Sequence, residues 1–137
     1  FLMSAVGRTQ TLDDLKRYVS GLSTADFNFA ISFEGSHIGN IKIHSIDSVH
    51  RRAEIGYLIG ERTYSRMGFG TEAVGRIVQF CFQDLDLHKV TAGCDVLNLG
   101  SIKVLEKNGF IREGTLKDHF LVNGNYIDVH RYGKIRA

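Results

Sequence analysis

Gly68 and Gly70, in the run S-R-M-G-F-G-T-E-A at 65–73, have the type and spacing of residues that let a ligand approach main chain closely. An alternating apolar run precedes them and an apolar run of helical period follows. Strand, loop and helix in that order aim backbone N–H groups and the positive end of a helix dipole at one spot, where anions and phosphates above all are held. Arg66 stands beside the glycines and adds charge. G-F-G-T-E-A matches the G-x-G-x-x-A form of a dinucleotide fingerprint, but that motif needs its glycines directly after a strand, and E-R-T-Y-S-R-M intervenes. The chain is also too short for two mononucleotide-binding halves. A P-loop needs G-K-[ST] after four residues, which is not found here. A loop gripping a pyrophosphate and a tight turn whose glycines only relieve strain both stay open.

Other chemistry-bearing residues are scattered. The histidines at 37, 44, 50, 88, 119 and 130 show no H-x-x-x-H spacing, so no metal site is expected. Cys81 and Cys94 each lie in an apolar run, which predicts buried reduced thiols rather than a bridge or a nucleophile.

The elements that must carry the glycine loop follow from periodicity. Thr11 with Asp13 and Asp14 resembles a helix start, and Leu12, Leu15, Tyr18, Val19 and Leu22 recur at helical spacing up to about Gly21. F-N-F-A-I-S-F (27–33), I-G-N-I-K-I-H-S-I (38–46) and A-E-I-G-Y-L-I-G (53–60) alternate as strands, and short connections make them an antiparallel meander. From Thr71 to Leu85 the apolar residues fall on one helical stripe. K-V-T-A-G-C-D-V (89–96) reads as a buried strand, and 101–108 as a short helix ended by Gly109. F-I-R-E-G-T-L and N-Y-I-D-V-H-R-Y-G-K-I are strands joined through a turn at N-G-N. The order β-β-β-α-β-α-β-β, preceded by at least one helix, predicts an α/β layered domain on a mixed sheet.

At 137 residues the chain suits a single domain over 1–137, able to bury about two-thirds of its unfolded surface. Net charge is +2 with no single-sign block, which argues against a nucleic-acid surface. No apolar run approaches the ~20 residues of a membrane span and no secretory signal is visible, so a cytoplasmic protein that meets no membrane is expected.

Three segments carry a resemblance. A-E-I-G-Y-L-I-G-E-R-T-Y-S-R-M-G-F-G-T-E-A-V, N-L-G-S-I-K-V-L-E-K-N-G-F-I-R-E-G-T-L and N-G-N-Y-I-D-V-H-R-Y-G-K-I, in this order and spacing, resemble the GNAT superfamily of acetyl-CoA-dependent N-acetyltransferases. The branch is that of the ribosomal-protein N-terminal acetyltransferases, and the match spans about residues 29–135. That fold begins with a strand and a helix not found in the pattern here, consistent with a missing N-terminal piece. The resemblance implies that residues 66–71 (Arg66, Met67, Gly68, Phe69, Gly70 and Thr71) cradle the acetyl-CoA pyrophosphate through backbone amides. Ser65 stands where the family has Gln or Arg, with Arg66 one step late. It implies further that the strand 53–60 splays from 89–96, with the pantetheine arm pairing near Leu58 and meeting Asn98. Leu105 occupies the place of the family's usual tyrosine general acid.

An amine attacking a thioester needs a proton acceptor, donors for the oxyanion and a donor or positive dipole for the departing thiolate. Glu54, which alternates away from Ile55 and Tyr57, is the candidate base, although it could equally be a cross-strand partner of Lys42 or Arg52. Ser101 is the candidate donor to sulfur, although it could equally cap a helix. His119 and His130 could line the acceptor cleft, and Asp118, Tyr126 and Asp128 could meet a cationic amine. The expected reaction is direct transfer of acetyl from acetyl-CoA, without a metal, to a primary amine: a protein N-terminus, an amino sugar, a polyamine or another small amine. A monomer or homodimer fits. A non-catalytic acyl-CoA sensor and a nucleotide-dependent oxidoreductase are the alternatives.

Overall fold

Alternating apolar residues build a seven-stranded mixed sheet in the computed structural model, which describes residues 2–5, 26–59 and 68–137. The elements are β1 (Leu2–Ala5), β2 (Phe27–Phe33), β3 (Ser36–Asp47), β4 (Arg52–Ile59), α1 (Phe69–Gln83), β5 (Lys89–Asp95), α2 (Leu99–Lys107), β6 (Ile111–Val122) and β7 (Asn125–Ile135). The spatial order is β1-β2-β3-β4-β5-β7-β6. Only β4 and β5 pair in parallel. A parallel pair needs a crossover, and α1 supplies it.

The expected order of strands and helices is found, with two corrections. A strand not read from the pattern, Leu2–Ala5, pairs antiparallel with β2. Four residues are too few to show a period. The strand expected over 110–116 runs on to Val122, through a bulge between Leu116 and Phe120 where Asp118 takes φ 48°. The hairpin turns at Asn123 and Gly124, both left-handed at φ 50° and 79°, as a two-residue primed turn requires. The helix expected near 11–22 lies outside the described residues.

Register places one set of side chains under α1. Ile43 lies opposite both Phe27 and Ile55, and Ile41 opposite both Phe29 and Tyr57. From α1, Ala73, Val74, Ile77, Val78 and Cys81 are buried against this face. The Phe80 ring meets Phe27 and Phe29 edge-on at 5.7 and 5.8 Å. Each fully buried Ile or Val contributes roughly 1.5–3 kcal/mol. Both cysteines are free and buried, and burial pushes the Cys81 thiol up to about 12. Among the described residues no helix is long and apolar enough to cross a membrane.

The parallel ladder is short. It runs from Arg52↔Lys89 to Ile55↔Ala92. β4 continues to Ile59 and β5 to Asp95, but no further pairs join them. The two strands part there and open a notch in the middle of the sheet.

Candidate functional site

The notch has two sides. On the helix side, Tyr57 is the first inward-facing β4 residue past the ladder. Its hydroxyl lies 2.7 Å from Ser101 Oγ and 3.3 Å from the Ser101 carbonyl oxygen, to which it donates. Burial pushes the Tyr57 phenol up to about 12, outweighing the opposing pull of the Ser101 hydroxyl. The phenol therefore stays protonated through the neutral range.

Ser101 is in the first turn of α2. The Asn98 side chain caps that helix, accepting from the Ser101 backbone N at 3.1 Å. The Ser101 hydroxyl is thereby left for Tyr57. Leu105, one turn further, has no exposed surface. The place where the resemblance expects an acidic phenol is filled by core.

α1 begins at the same side. Gly68 is its N-cap at φ 80°, ψ 8°, and its carbonyl accepts from Glu72 N at 3.1 Å. No side chain caps this end. The first N–H groups of an α-helix have no intrahelical acceptor, so those of Gly70 and Thr71 are offered at this end together with the dipole. Gly68 is exposed, Phe69 and Gly70 are buried, and Thr71 is half-buried. Asn108 Nδ2 donates to Thr71 O at 3.0 Å and Val104 O at 2.9 Å, which ties the end of α2 to the start of α1. Arg66 and Met67 lie outside the described residues.

Glu54 faces the opposite side of the sheet. Strand alternation sets it away from Ala53, Ile55 and Tyr57, and its side chain is 24% exposed. The expected partners Lys42 and Arg52 are engaged elsewhere, with Asp26 at 3.2 Å and Asp47 at 3.8 Å. Glu54 is held instead by His44 Nε2 on one oxygen, at 3.3 Å, and by Arg131 Nη2 on the other. His44 sits opposite Glu54 in the β3–β4 register. Arg131 arrives from β7 across Gly93 of β5: a Cβ built at Gly93 would stand 2.9 Å from Arg131 Nη1. The guanidinium thus lies over the notch.

Two clefts meet at Glu54 and His44. One, of about 410 Å³, runs past Lys42, His44, Gly56, Tyr57 and Leu58. Leu58 is 67% exposed on the unpaired length of β4. The other, of about 420 Å³, runs past Asp47, Arg52, Glu54, Lys89, Thr91 and Arg131. His130 lines neither: its Nδ1 is 2.8 Å from Thr115 Oγ1, and its ring borders a separate hollow beside α2. The His119 ring lies tilted against Phe120 in the hairpin, with centroids 5.1 Å apart. Asp128 is spent on the Asp118 N–H first and on Lys117 second, which hold its carboxyl below the usual range.

Of the residues singled out in the sequence, Glu54 and Leu58 lie on β4, Ser101 meets Tyr57 across the notch, and Asn98 caps α2. Sequence reasoning missed Tyr57, His44 and Arg131. His44 had a signal, since counting back from the β3–β4 connection sets it near Glu54. Arg131 had none, because its position depends on β7 inserting beside β5.

Comparison with known proteins bears on what this notch is for. The sequence profile described as Acetyltransferase (GNAT) domain matches residues 2–111. YdaF of Bacillus subtilis (strain 168), a candidate ribosomal N-acetyltransferase by its name, is 31% identical over 129 residues, 94% of this chain and 69% of the relative. The spermidine N(1)-acetyltransferase of Vibrio cholerae is 33% identical over 94 residues, 69% of this chain and 54% of that protein. A crystal structure described as a probable acetyltransferase superposes with a TM-score of 0.78 at 31% identity, covering 90% of this chain and 67% of the other. The chain spans about half to two-thirds of the length of these proteins.

Proposed function

The chain belongs to the GNAT acetyltransferase family, and on that premise we propose that it moves an acetyl group from acetyl-CoA to a primary amine by direct transfer in a ternary complex. The observation that carries this reading is the notch itself. The parallel ladder stops at Ile55↔Ala92, with a helix N-terminus and a hydroxyl pair on one side and a carboxylate on the other. Those two sides match the two halves of an acyl transfer, an anionic donor and an amine acceptor.

The residues present fit the co-substrate. Gly68 is left-handed with open space where a Cβ would stand, and the Gly70 and Thr71 amides have no helical acceptor. The 66–71 segment, Arg66 and Met67 included, holds the pyrophosphate through those amides. The unpaired edge of β4 near Leu58, together with Asn98, guides the arm towards the notch. When bound, acetyl-CoA supplies a thioester carbonyl that an amine can attack.

The chain's own groups do the rest. Glu54 accepts the proton that the amine must lose, exchanging its contact with Arg131 as the acceptor arrives. Backbone N–H groups on the unpaired β4 edge face the developing oxyanion. As the C–S bond breaks, Ser101 Oγ–H donates to the leaving sulfur. Tyr57 acts through Ser101: as the serine proton turns to the sulfur, the Tyr57 hydroxyl proton turns from the Ser101 carbonyl to Ser101 Oγ, 2.7 Å away. Positioning of this kind is what direct transfer mainly requires.

The reading is tested by acetyl-CoA binding followed by thiol release. Acetyl-CoA at about 100 times its Kd is expected to stabilise the chain by about 2.7 kcal/mol in a thermal-shift titration, and a panel of amines is expected to draw free thiol. No shift and no thiol would overturn it. Tyr57→Phe tests the hydroxyl pair. It is expected to lower kcat about 3–10-fold, the worth of one neutral hydrogen bond, while the KM for acetyl-CoA stays within about twofold. A parallel rise in KM with kcat unchanged would make Tyr57 part of the binding wall only.

A further inference from the structure

We propose that the cleft beside Glu54 selects amines that carry an oxyanion, a carboxylate or phosphate, within a few bonds of the nitrogen. The inference rests on the acetyl-transfer reading and names the acceptor class of that same site. The cleft of about 420 Å³ lies on the face opposite the helices and starts at the notch. Its described lining carries three cations, Arg52, Lys89 and Arg131, against two carboxylates, Asp47 and Glu54. A polyamine laid there would set its second ammonium among cations, and a like-charge approach at such range is repulsive.

The ion pairs themselves show how an oxyanion enters. Arg131 and Glu54 hold each other across the notch. An incoming ammonium that takes the Glu54 carboxylate frees the guanidinium, which then needs an anion of its own. An acceptor carrying both charges satisfies both halves of the divided pair; a neutral carrier satisfies one, and a polycation opposes the other. Arg131 presents a fork suited to carboxylate or phosphate, and Gly93 leaves it room to lie over the notch. Arg52 is the next available cation: it is 57% exposed and only 3.8 Å from Asp47, whose carboxylate already accepts from the backbone N–H groups of Val49 and His50. Lys89 is tied more closely to Glu113, at 2.9 Å, and contributes field rather than a contact.

The test is thiol release by the full chain at fixed ionic strength, with saturating acetyl-CoA and four acceptors: β-alanine, O-phosphoethanolamine, ethanolamine and spermidine. β-Alanine or O-phosphoethanolamine is expected to exceed ethanolamine in kcat/KM by about tenfold, the effect of one charge-assisted contact, and whichever leads identifies the oxyanion. Arg131→Gln is expected to bring that ratio towards one, with Arg131→Lys between. Arg52→Gln, on an exposed side chain that leaves folding intact, is expected to lower the ratio about 2–3-fold. Release led by spermidine or ethanolamine overturns the acceptor class alone. A ratio unmoved in both the Arg131 and Arg52 variants overturns it too. No release with any of the four acceptors, together with no thermal shift on adding acetyl-CoA, overturns the transferase reading, and the acceptor class with it.

Discussion

Glu54→Gln is expected to lower kcat by about 10²-fold while acetyl-CoA affinity stays within about twofold. The magnitude is the lower end of what a positioned proton acceptor contributes. The substitution is nearly isosteric, and the amide oxygen can still accept from Arg131, so the strand edge keeps its shape. The one property removed is the ability to take a proton. A purely structural glutamate predicts something else. Its contacts to His44 and Arg131 join side chains between about a quarter and a third exposed, where an ion pair is worth about 1 kcal/mol or less. A structural role would therefore lower the thermal midpoint slightly and leave turnover nearly intact. Steady-state thiol release and calorimetric titration on the same preparation separate the two. Turnover within about threefold of the parent would remove Glu54 from the mechanism.

The reasons that made Glu54 findable are the reasons its neighbours were not. A strand shows its two faces in a period of two, so A-E-I-G-Y-L separates Glu54 from Ile55 and Tyr57 without any structure. Local capping was legible only in part: the helix was expected to start at Ser101, with Ser101 as a possible cap, whereas it starts at Leu99 and Asn98 caps it. What a single strand cannot show is who lies beside it. Arg131 reaches Glu54 only because β7 inserts between β5 and β6, a pairing of residues far apart in the chain. Tyr57 showed as one more apolar-face residue, and only the notch makes its hydroxyl useful. The end of the β4–β5 ladder is likewise set by tertiary packing. The far half of β6 was obscured differently. The alternation breaks at Lys117, Asp118 and His119, where a bulge carries an exposed edge strand onward.

Gly70→Val is expected to weaken acetyl-CoA binding about tenfold or more. Gly70 lies in the first turn of α1, where helix propensity alone would favour almost any other residue by up to about 1 kcal/mol. A glycine retained there needs a reason, and two compete. Either the backbone must be approached closely by the pyrophosphate, or the residue is packed too tightly for a side chain, as its burial between Phe69 and Ala73 allows. The two reasons differ in what they spoil. A packing role predicts a lower melting midpoint but normal affinity in the folded fraction. An approach role predicts a large loss of affinity whatever the midpoint does. Gly68→Ala is the control, because nothing stands within 4 Å of the Cβ it would add, and its cost is torsional, about 1–2 kcal/mol at φ 80°. That variant is expected to lose stability first, and affinity only as far as the left-handed cap relaxes. Isothermal titration of acetyl-CoA into both variants, with thermal midpoints measured alongside, gives the order. Normal affinity in a folded Gly70→Val chain would place the pyrophosphate elsewhere, and the helix N-terminus would lose its assigned ligand.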